Sequence, residues 1–233
     1  IYADSTKQVV QGFGGAFIHF WRPDMTNAEI ETAFGTDEGQ LGFSILRLGI
    51  DPDSTRWNEN LHTAKKAYDM GVKIFASPWH APDDMLKPGV ENDTVAVDKY
   101  ADYAAHLEAF NQFMSDNGVE LHSISIQNEP DYANDWTGWS TEGILKFMRE
   151  NAPDINSRIM APESFQFRKE VSDPLLNDSL ANANLDIVGG HIYGGGLARY
   201  PLAEEKGKEV WMTEHYTTSD RSANIWPDAL GVG

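Results

Sequence analysis

Short apolar runs alternate with longer amphipathic stretches along the whole chain. Seven runs rich in Val, Ile, Leu and Phe predict strands at 12–17, 44–50, 73–79, 121–127, 158–162, 185–191 and 209–213. Apolar runs of this length are typical of parallel strands that other elements cover on both faces. The pattern therefore predicts an α/β protein built on a parallel sheet.

Amphipathic helices are predicted between these strands. Residues 26–34 start with Thr26 and place Glu29 three positions later, which is the pattern of a capping box. In 98–117 apolar side chains recur at helical spacing, and Gly118 follows as a stop signal. Residues 141–150 repeat the pattern more briefly. The regular alternation of strands and helices favours a (β/α)8 TIM barrel.

The barrel is expected to be incomplete. Eight strands close a (β/α)8 barrel, whereas seven are predicted here, and a seventh helix is predicted at 225–230, close to Gly233. We therefore expect 1–233 to be one catalytic barrel domain that stops before the eighth strand, with no second domain within the chain. The alternative is an open doubly wound sheet, but residues 12–16 read GFGGA and lack a G-x-G-x-x-G fingerprint.

Two carboxylates stand where predicted strands end. Glu129 closes the fourth apolar segment, and Glu214 closes the seventh. A carboxylate is costly to place beside buried strands unless it is paired or used. The carboxyl ends of barrel strands share one face, so the two side chains should lie together. They suggest a pair for acid/base and nucleophilic chemistry on a glycosidic bond.

Other polar and aromatic residues are predicted at the same face. Flat aromatic rings stack on sugar C–H faces, while amides and charged groups bind the hydroxyls. Glu163 also ends a strand, and we expect it to support the site by hydrogen bonding rather than to act directly. The residues expected to bind substrate are Trp21, Arg47, Trp79, His80, Asn128, Tyr132, Tyr193 and Tyr216.

Charge and cysteine content narrow the partners and the chemistry. The chain has 18 Lys and Arg against 36 Asp and Glu, a net charge of −18. That field repels phosphate backbones and anionic lipids, so we expect neither nucleic acid nor a membrane as a partner. The absence of cysteine excludes disulfides, thiol nucleophiles and Cys-ligated zinc.

Four histidines near strand ends raise the question of a metal site. These residues are His19, His80, His191 and His215. Metal-dependent hydrolase barrels usually carry a His-x-His on the first strand, which here ends in Phe17-Ile18-His19. We therefore predict no metal and no cofactor, and expect the histidines to hydrogen-bond sugar hydroxyls and the two carboxylates.

Several further residues have plainer structural interpretations. We expect Trp57 and Trp226 to be packing residues, whereas Trp136 and Trp139 fit either packing or sugar binding. Asp51 and Asp53 are expected to be turn and helix-cap residues, because Asp side chains accept hydrogen bonds from nearby backbone N–H groups.

Six short motifs follow one another in order along essentially the whole chain. They are QGFGG at 11–15, FSILR at 43–47, FASPW at 75–79, QNEPDY at 127–132, APES at 161–164 and WMTE at 211–214. The Asn-Glu-Pro at 128–130, with a lone Glu closing the seventh strand, resembles clan A retaining glycoside hydrolases. Together the six motifs resemble glycoside hydrolase family 30, and within it the bacterial glucuronoxylanase branch.

The resemblance implies a secreted, monomeric, cofactor-free retaining endo-β-1,4-xylanase that hydrolyses the polysaccharide glucuronoxylan. Glu129 would be the general acid/base, kept protonated by burial and by the nearby Glu214 anion, and Glu214 the nucleophile. Arg47 would be the cation beside Glu214, and Asn128 would bind the sugar 2-hydroxyl. Trp21, Trp79 and Tyr193 are similar to the family's wall around that sugar.

Two departures from the family pattern keep alternatives open. The family has an eighth strand and a side β-domain, and we expect this chain to end before both. His80 stands where the family motif predicts Asn. The alternatives are another retaining β-glycosidase of the same family, of the β-1,6-glucanase or glucosylceramidase type, or an inactive barrel fragment that only binds polysaccharide.

Overall fold

A single parallel sheet organises the computed structural model, which describes residues 9–88, 94–132, 135–196 and 198–216. Its seven strands lie in sequence order from β1 to β7, and every neighbouring pair is parallel. This is the strand order of an incomplete (β/α)8 barrel, so the predicted fold class is confirmed. The strands are β1 (Gly14–Phe17), β2 (Ile45–Ile50), β3 (Lys73–Pro78), β4 (Ser123–Ser125), β5 (Ile159–Ser164), β6 (Ile187–His191) and β7 (Glu209–Glu214).

Helices connect these strands and cover the sheet. They are α1 (Asn27–Phe34), α2 (Leu61–Asp69), α3 (Tyr100–Asp116), α4 (Thr141–Glu150), α5 (Lys169–Asn177), α6 (Ser179–Ala183) and α7 (Pro201–Glu205). Helix α3 begins two residues later than predicted because Val97–Lys99 form a 3-10 turn. The helix predicted at 225–230 lies outside the described residues. No helix in the described ranges is both long enough and apolar enough to cross a bilayer.

The predicted capping box starts α1. The Glu29 N–H donates to the Thr26 hydroxyl at 3.3 Å, and the Thr26 N–H donates to the Glu29 carboxylate at 2.7 Å. Two backbone donors at the helix start are thereby satisfied. The carboxylate is also a hydrogen-bond acceptor for the Thr26 hydroxyl, and these bonds lower the pKa of Glu29.

The core lies between the sheet and its helices. Helix α3 buries Tyr103, Leu107, Phe110 and Met114 completely, and the Tyr103 hydroxyl donates to the Ile126 carbonyl at 2.9 Å. Each such apolar side chain contributes about 1.5–3 kcal/mol when it leaves water. Trp57 and Trp139 belong to the same core. The predicted packing role of Trp57 is confirmed, and Trp139 is a packing residue as well. Trp226 lies outside the described residues.

Asp51 and Asp53 shape the loop after β2. Asp53 accepts from the Thr55 N–H at 2.9 Å and caps the 3-10 helix Ser54–Asn60, as predicted. Asp51 accepts from the Asp53 N–H at 2.9 Å, which is a turn contact. It is also buried, and its other oxygen lies 3.0 Å from both His19 Nε2 and Arg56 Nη1. Asp51 therefore connects His19 and Arg56 as well as forming a turn.

Candidate active site

Glu129 and Glu214 meet at the carboxyl edge of the sheet. One carboxylate oxygen of each lies within 4.8 Å of the other, and His191 offers a ring nitrogen within the same distance of both. Glu129 is 3% exposed, whereas the Glu214 side chain is 21% exposed. The two carboxylates therefore face each other across a short gap, and Glu214 is the more open to a ligand.

Glu129 is held by the loop that follows β4 and by β6. His191 Nδ1 lies 2.6 Å from Glu129 Oε1, and the imidazole is completely buried. The Trp136 indole N–H donates to the Glu129 carbonyl at 3.4 Å, so this half-buried tryptophan supports the loop. The position of Glu129 is thus determined through both its side chain and its backbone.

Arg47 connects the polar groups of the site. The arginine is 2% exposed, and its guanidinium donates to the Glu214 carboxylate, to Asn128 Oδ1 at 2.6 Å and to Ser77 Oγ at 3.2 Å. Its Nη2 also lies 2.8 Å from Glu163 Oε1 as an ion-pair contact. A buried cation is tolerated only when it is paired in this way. The structure places Arg47 where the sequence analysis expected the cation beside Glu214.

Glu163, at the end of β5, is completely buried. Burial alone would raise the pKa of this carboxyl, but the charges of Arg47 and His191 outweigh that effect and lower it to about 2. Glu163 is therefore an anion at any ordinary pH. Its position at a strand end follows from the sequence, whereas its depth and its neighbours Arg47 and His191 are seen only in the structure.

Tyr193 and His191 surround the nucleophile candidate from β6 and the loop after it. The Tyr193 hydroxyl donates to Glu214 Oε1 at 3.0 Å. Burial and the negative charge of Glu214 raise the pKa of Tyr193, so it remains a hydrogen-bond donor. Burial would lower the pKa of His191, but the hydrogen bond to Glu129 and the nearby carboxylates of Glu163 and Glu214 raise it above its usual value.

Aromatic side chains surround this polar centre, with very different exposure. Trp21 is 61% exposed, and its ring meets the Trp79 ring edge to face at 5.1 Å. Trp79 is 2% exposed, so it backs the site rather than offering an open ring face. Tyr216 is 63% exposed and contacts the Tyr193 ring at 5.8 Å.

A row of stacked rings extends the site along β4, β5 and β6. Tyr132 stacks on Phe165 at 4.6 Å, and Phe165 stacks on Tyr193 at 5.7 Å. The sequence analysis missed Phe165. Its signal was present, since it follows a strand-end Glu by two residues, where an aromatic ring reaches the same face.

The histidines divide into different environments. His191 lies between the carboxylates, and the His215 ring packs 5.4 Å from the Tyr193 ring. His80 is exposed beside a cavity of about 250 Å³ that Phe20 and Arg56 also line. His19 is instead hydrogen-bonded to Asp51 at 3.0 Å, and not to Glu129 or Glu214.

Within the described ranges, one group of side chains has the spacing that could hold a metal ion. It comprises Glu129, His191 and Glu214, with the candidate ligand atoms within 4.8 Å of one another. The atoms already have partners, because His191 Nδ1 bonds Glu129 while Glu214 accepts from Arg47 and Tyr193. An ion there would compete with the Arg47 cation, and the absence of a metal stays a prediction.

The strand order and the facing carboxylates together define a (β/α)-barrel of the glycoside hydrolase class. No protein-family model matches the chain. The chain is 52% identical over 237 residues to "Glucuronoxylanase XynC" of Bacillus subtilis, a match to 97% of this chain and 56% of the relative. It superposes with a TM-score of 0.90 and 42% identity on a GH30 endoxylanase of Clostridium papyrosolvens C71, covering 98% of this chain and 62% of that one.

A second xylanase structure gives the same result. The family 30 subfamily 8 xylanase Xyn30A of Clostridium acetobutylicum matches with a TM-score of 0.90 and 32% identity, over 99% of this chain and 62% of the other. The chain therefore belongs to glycoside hydrolase family 30. It spans 56% of the curated relative and 62% of each of the two solved chains.

Proposed function

We propose that this chain forms the catalytic barrel of a retaining endo-β-1,4-xylanase that hydrolyses glucuronoxylan. The observation that carries the proposal is the placement of Glu129, after β4, and Glu214, at the end of β7, on one face of the barrel with oxygens within 4.8 Å. The 52% identity to a glucuronoxylanase supports the choice of substrate. The enzyme is proposed to be secreted, monomeric and free of cofactors.

The separation of the carboxylates favours retention of configuration. Retaining glycosidases hold their carboxyl groups about 5–5.5 Å apart, whereas inverting enzymes leave about 6.5–9.5 Å for a water molecule. In the first step Glu214 attacks the anomeric carbon, the glycosidic bond breaks, and Glu129 protonates the departing oxygen. In the second step Glu129 takes a proton from water, and that water displaces Glu214 from the sugar.

The neighbours of Glu214 suit a nucleophile. Arg47 neutralises its charge and Tyr193 donates to its second oxygen, so both oxygens are oriented. A carboxylate held by charge-assisted hydrogen bonds keeps one geometry. Glu129 is the deeper of the two and lies against His191, which suits a group that must hold and release a proton.

Asn128 supplies a hydrogen-bond donor beside this pair. Its Oδ1 accepts from Arg47, which fixes the orientation of the amide. Its Nδ2 is buried without a hydrogen-bond partner among the described residues. A buried donor of this kind needs a partner to offset its loss of water. The 2-hydroxyl of the bound sugar would provide one, and this contact strengthens in the transition state of glycoside hydrolysis.

The remaining residues expected to bind substrate form the walls of the cleft in this proposal. Trp21 and Tyr216 offer exposed rings, Tyr132 and Tyr193 flank the carboxylates, and His80 lies at the rim. Trp79 contributes by supporting Arg47 and Trp21 from below. A polymer whose backbone is uncharged also suits a protein with a net charge of −18.

The test is hydrolysis of defined polysaccharides by the purified protein. We expect reducing sugar and oligosaccharides from glucuronoxylan, with the β anomer formed first in a proton NMR time course. Glu129→Gln should lower kcat by about 10²- to 10⁴-fold, the usual contribution of a general acid. Glu214→Gln should abolish turnover, and Glu31→Gln, at an exposed position of α1, is the matched control.

Other outcomes would favour the alternatives. Cleavage of β-1,6-glucan or of a glucosylceramide, without cleavage of xylan, would replace the substrate while keeping the mechanism. Binding of glucuronoxylan with no product from the wild-type protein would favour a polysaccharide-binding barrel. Formation of the α anomer first would contradict retention.

A further inference from the structure

Glu163 is a buried charge that the two-step reaction does not use. Its side chain is 0% exposed, and it lies on β5 between the strands that carry Glu129 and His191. Removing an ionised carboxylate from water costs several kcal/mol even after the protein relaxes. A charge held at this depth needs compensation from its neighbours, and the identity of those neighbours indicates what the charge does.

Arg47 and His191 face Glu163. Arg47 Nη2 lies 2.8 Å from its Oε1, and His191 Nε2 lies 3.6 Å from the same oxygen, an electrostatic contact longer than a hydrogen bond. The other ring nitrogen of His191 lies 2.6 Å from Glu129 Oε1. One imidazole therefore connects the buried carboxylate to the proposed acid/base.

The backbone makes the same connection. The Glu129 N–H donates to the Glu163 carbonyl at 3.1 Å, and both residues have positive φ angles, of 41° and 59°. Such left-handed conformations are unfavourable for residues other than Gly and persist only where their surroundings impose them. The two glutamates therefore form one local unit at the ends of β4 and β5.

We propose that Glu163 is a positioning residue that keeps His191 protonated and directs its Nδ1–H at Glu129, and so sets the proton affinity of the acid/base. This inference rests on the proposed function for its kinetic consequence only. It assigns Glu163 no contact with substrate. The proton on the His191–Glu129 pair then belongs to the pair, and its loss is described by pKa values of the pair.

The charged side chains around His191 come from several elements of the barrel. Glu129, in the loop after β4, Glu163 on β5 and Glu214 on β7 face it at 2.6, 3.6 and 4.0 Å. Arg47 on β2 opposes them as a cation, and the Tyr193 ring meets the imidazole edge to face at 6.0 Å. Three carboxylates and one guanidinium therefore surround the imidazole, and that balance favours its positive form.

Removing one of these anions should change the pKa values of the His191–Glu129 pair in a defined direction. Each proton lost from the His191–Glu129 pair makes the pair more negative, and a neighbouring anion opposes that loss. Glu163→Gln should therefore lower both pKa values of the pair. The basic limb of the kcat/KM profile should move to lower pH by about one unit, the lower end of the effect of a close charge.

The primary test is NMR titration of the His191 ring in the wild-type protein and in Glu163→Gln. We expect both ring nitrogens of wild-type His191 to carry a proton at pH 6.5. In the variant, the imidazolium should lose its proton at a pH lower by at least about one unit. Glu163→Asp keeps the charge and should largely restore the titration. Glu209→Gln removes a carboxylate paired with Arg158 at the start of β7, and it should leave His191 unchanged.

The outcomes separate this inference from the proposed function. A neutral His191 at pH 6.5 in the wild-type protein would overturn it even if no variant folds. An unchanged His191 titration in folded Glu163→Gln would overturn it as well. Failure to hydrolyse any xylan would overturn the proposed function and leave the NMR result valid. In an active enzyme, loss of kcat in Glu163→Gln with an unshifted basic limb would show a purely structural role, and would contradict the inference.

Discussion

The guanidinium carbon of Arg47 lies 4.4 Å from the centroid of the Trp79 ring. The face of the cation is therefore covered by an aromatic ring, while its edges donate to Ser77, Asn128 and Glu214. Arginine combines a flat face with a planar fork of donors, and lysine has neither. This geometry explains why a positive charge is tolerated in the centre of the barrel.

The first prediction concerns replacement of Arg47. Arg47→Met removes the cation and leaves Glu163 and Glu214 without their main partner. Breaking a buried ion pair from one side costs about 3–5 kcal/mol, so the free energy of unfolding in urea should fall by that amount. Arg47→Lys should be less destabilising but should lose activity, since it cannot contact Asn128 and Glu214 together.

The control for Arg47 is an exposed pair on the same protein. Arg22 lies 3.1 Å from Glu29, and both side chains are nearly half exposed. Arg22→Met should change the free energy of unfolding by less than about 1 kcal/mol. If Arg47→Met and Arg22→Met lowered the free energy of unfolding equally, burial of the Arg47 ion pairs would not explain their contribution to stability.

A second prediction follows from the low pKa of Glu163, which is about 2 in the folded protein. An unfolded glutamate titrates near pH 4.3, so folding favours the ionised form. The resulting stabilisation is fully present above about pH 4.3 and is lost as the pH falls toward 2. The free energy of unfolding should therefore fall more steeply between about pH 5 and 2 in the wild-type protein than in Glu163→Gln.

Comparing the wild-type protein with Glu163→Gln makes the measurement specific to the Glu163 carboxyl. Other carboxylates titrate in the same range, but those remote from Glu163 are present in both proteins and cancel in the difference. A pH dependence that is the same in the variant would mean that Glu163 is not a low-pKa anion in the folded state. If the free energy of unfolding fell more steeply with falling pH in the variant, folding would not lower the pKa of Glu163.

Much of the fold and the pairing of Glu129 with Glu214 could be predicted from local sequence patterns. The seven strands were identified because each is a continuous apolar run, and the α1 start was identified because Thr26 and Glu29 form a capping box. Glu129 and Glu214 could be placed at one face because parallel barrel strands share their carboxyl edge. These predictions need only the hydrophobic periodicity of single segments and the parallel topology that alternating strands and helices imply.

Other features depend on contacts between distant segments, and no local pattern reports them. Trp79 was expected to line the sugar site, but it is buried beneath Arg47, a residue 32 positions earlier. His19 pairs with Asp51, also 32 positions away. The depth of Glu163 likewise depends on how three strands converge around it. Burial of a polar residue is decided by tertiary packing, which periodicity does not specify.

A third prediction tests the hydroxyl of Tyr193. Tyr193→Phe removes the donor to Glu214 Oε1 at 3.0 Å and keeps the ring that stacks on Phe165. Hydrogen bonds to charged groups contribute about 1.5–3 kcal/mol, so kcat/KM should fall about 10- to 100-fold. Steady-state kinetics on glucuronoxylan would measure this loss.

A second tyrosine, whose hydroxyl bonds side chains of α5, is the control for that hydroxyl. The Tyr200 hydroxyl is hydrogen-bonded to Ser172 and Asp173, at 2.6 and 2.5 Å, away from the carboxylate pair. Tyr200→Phe should lower the melting temperature without changing kcat/KM. If Tyr193→Phe kept full activity, the orientation of Glu214 would depend on Arg47 alone.

The last prediction concerns Trp21, an exposed ring beside the site. Because 61% of Trp21 is exposed and it packs on Trp79 only through an edge-to-face contact, its ring face is available to a sugar. Aromatic contacts of this kind contribute about 0.5–1.5 kcal/mol, so Trp21→Ala should raise KM up to about tenfold and change kcat little. Leu41→Ala is the control, because Leu41 is 62% exposed in the loop that precedes β2, at the opposite end of the strands. A fall in kcat at unchanged KM would mean that Trp21 acts on the transition state through Trp79 and Arg47, and not as a surface for the sugar.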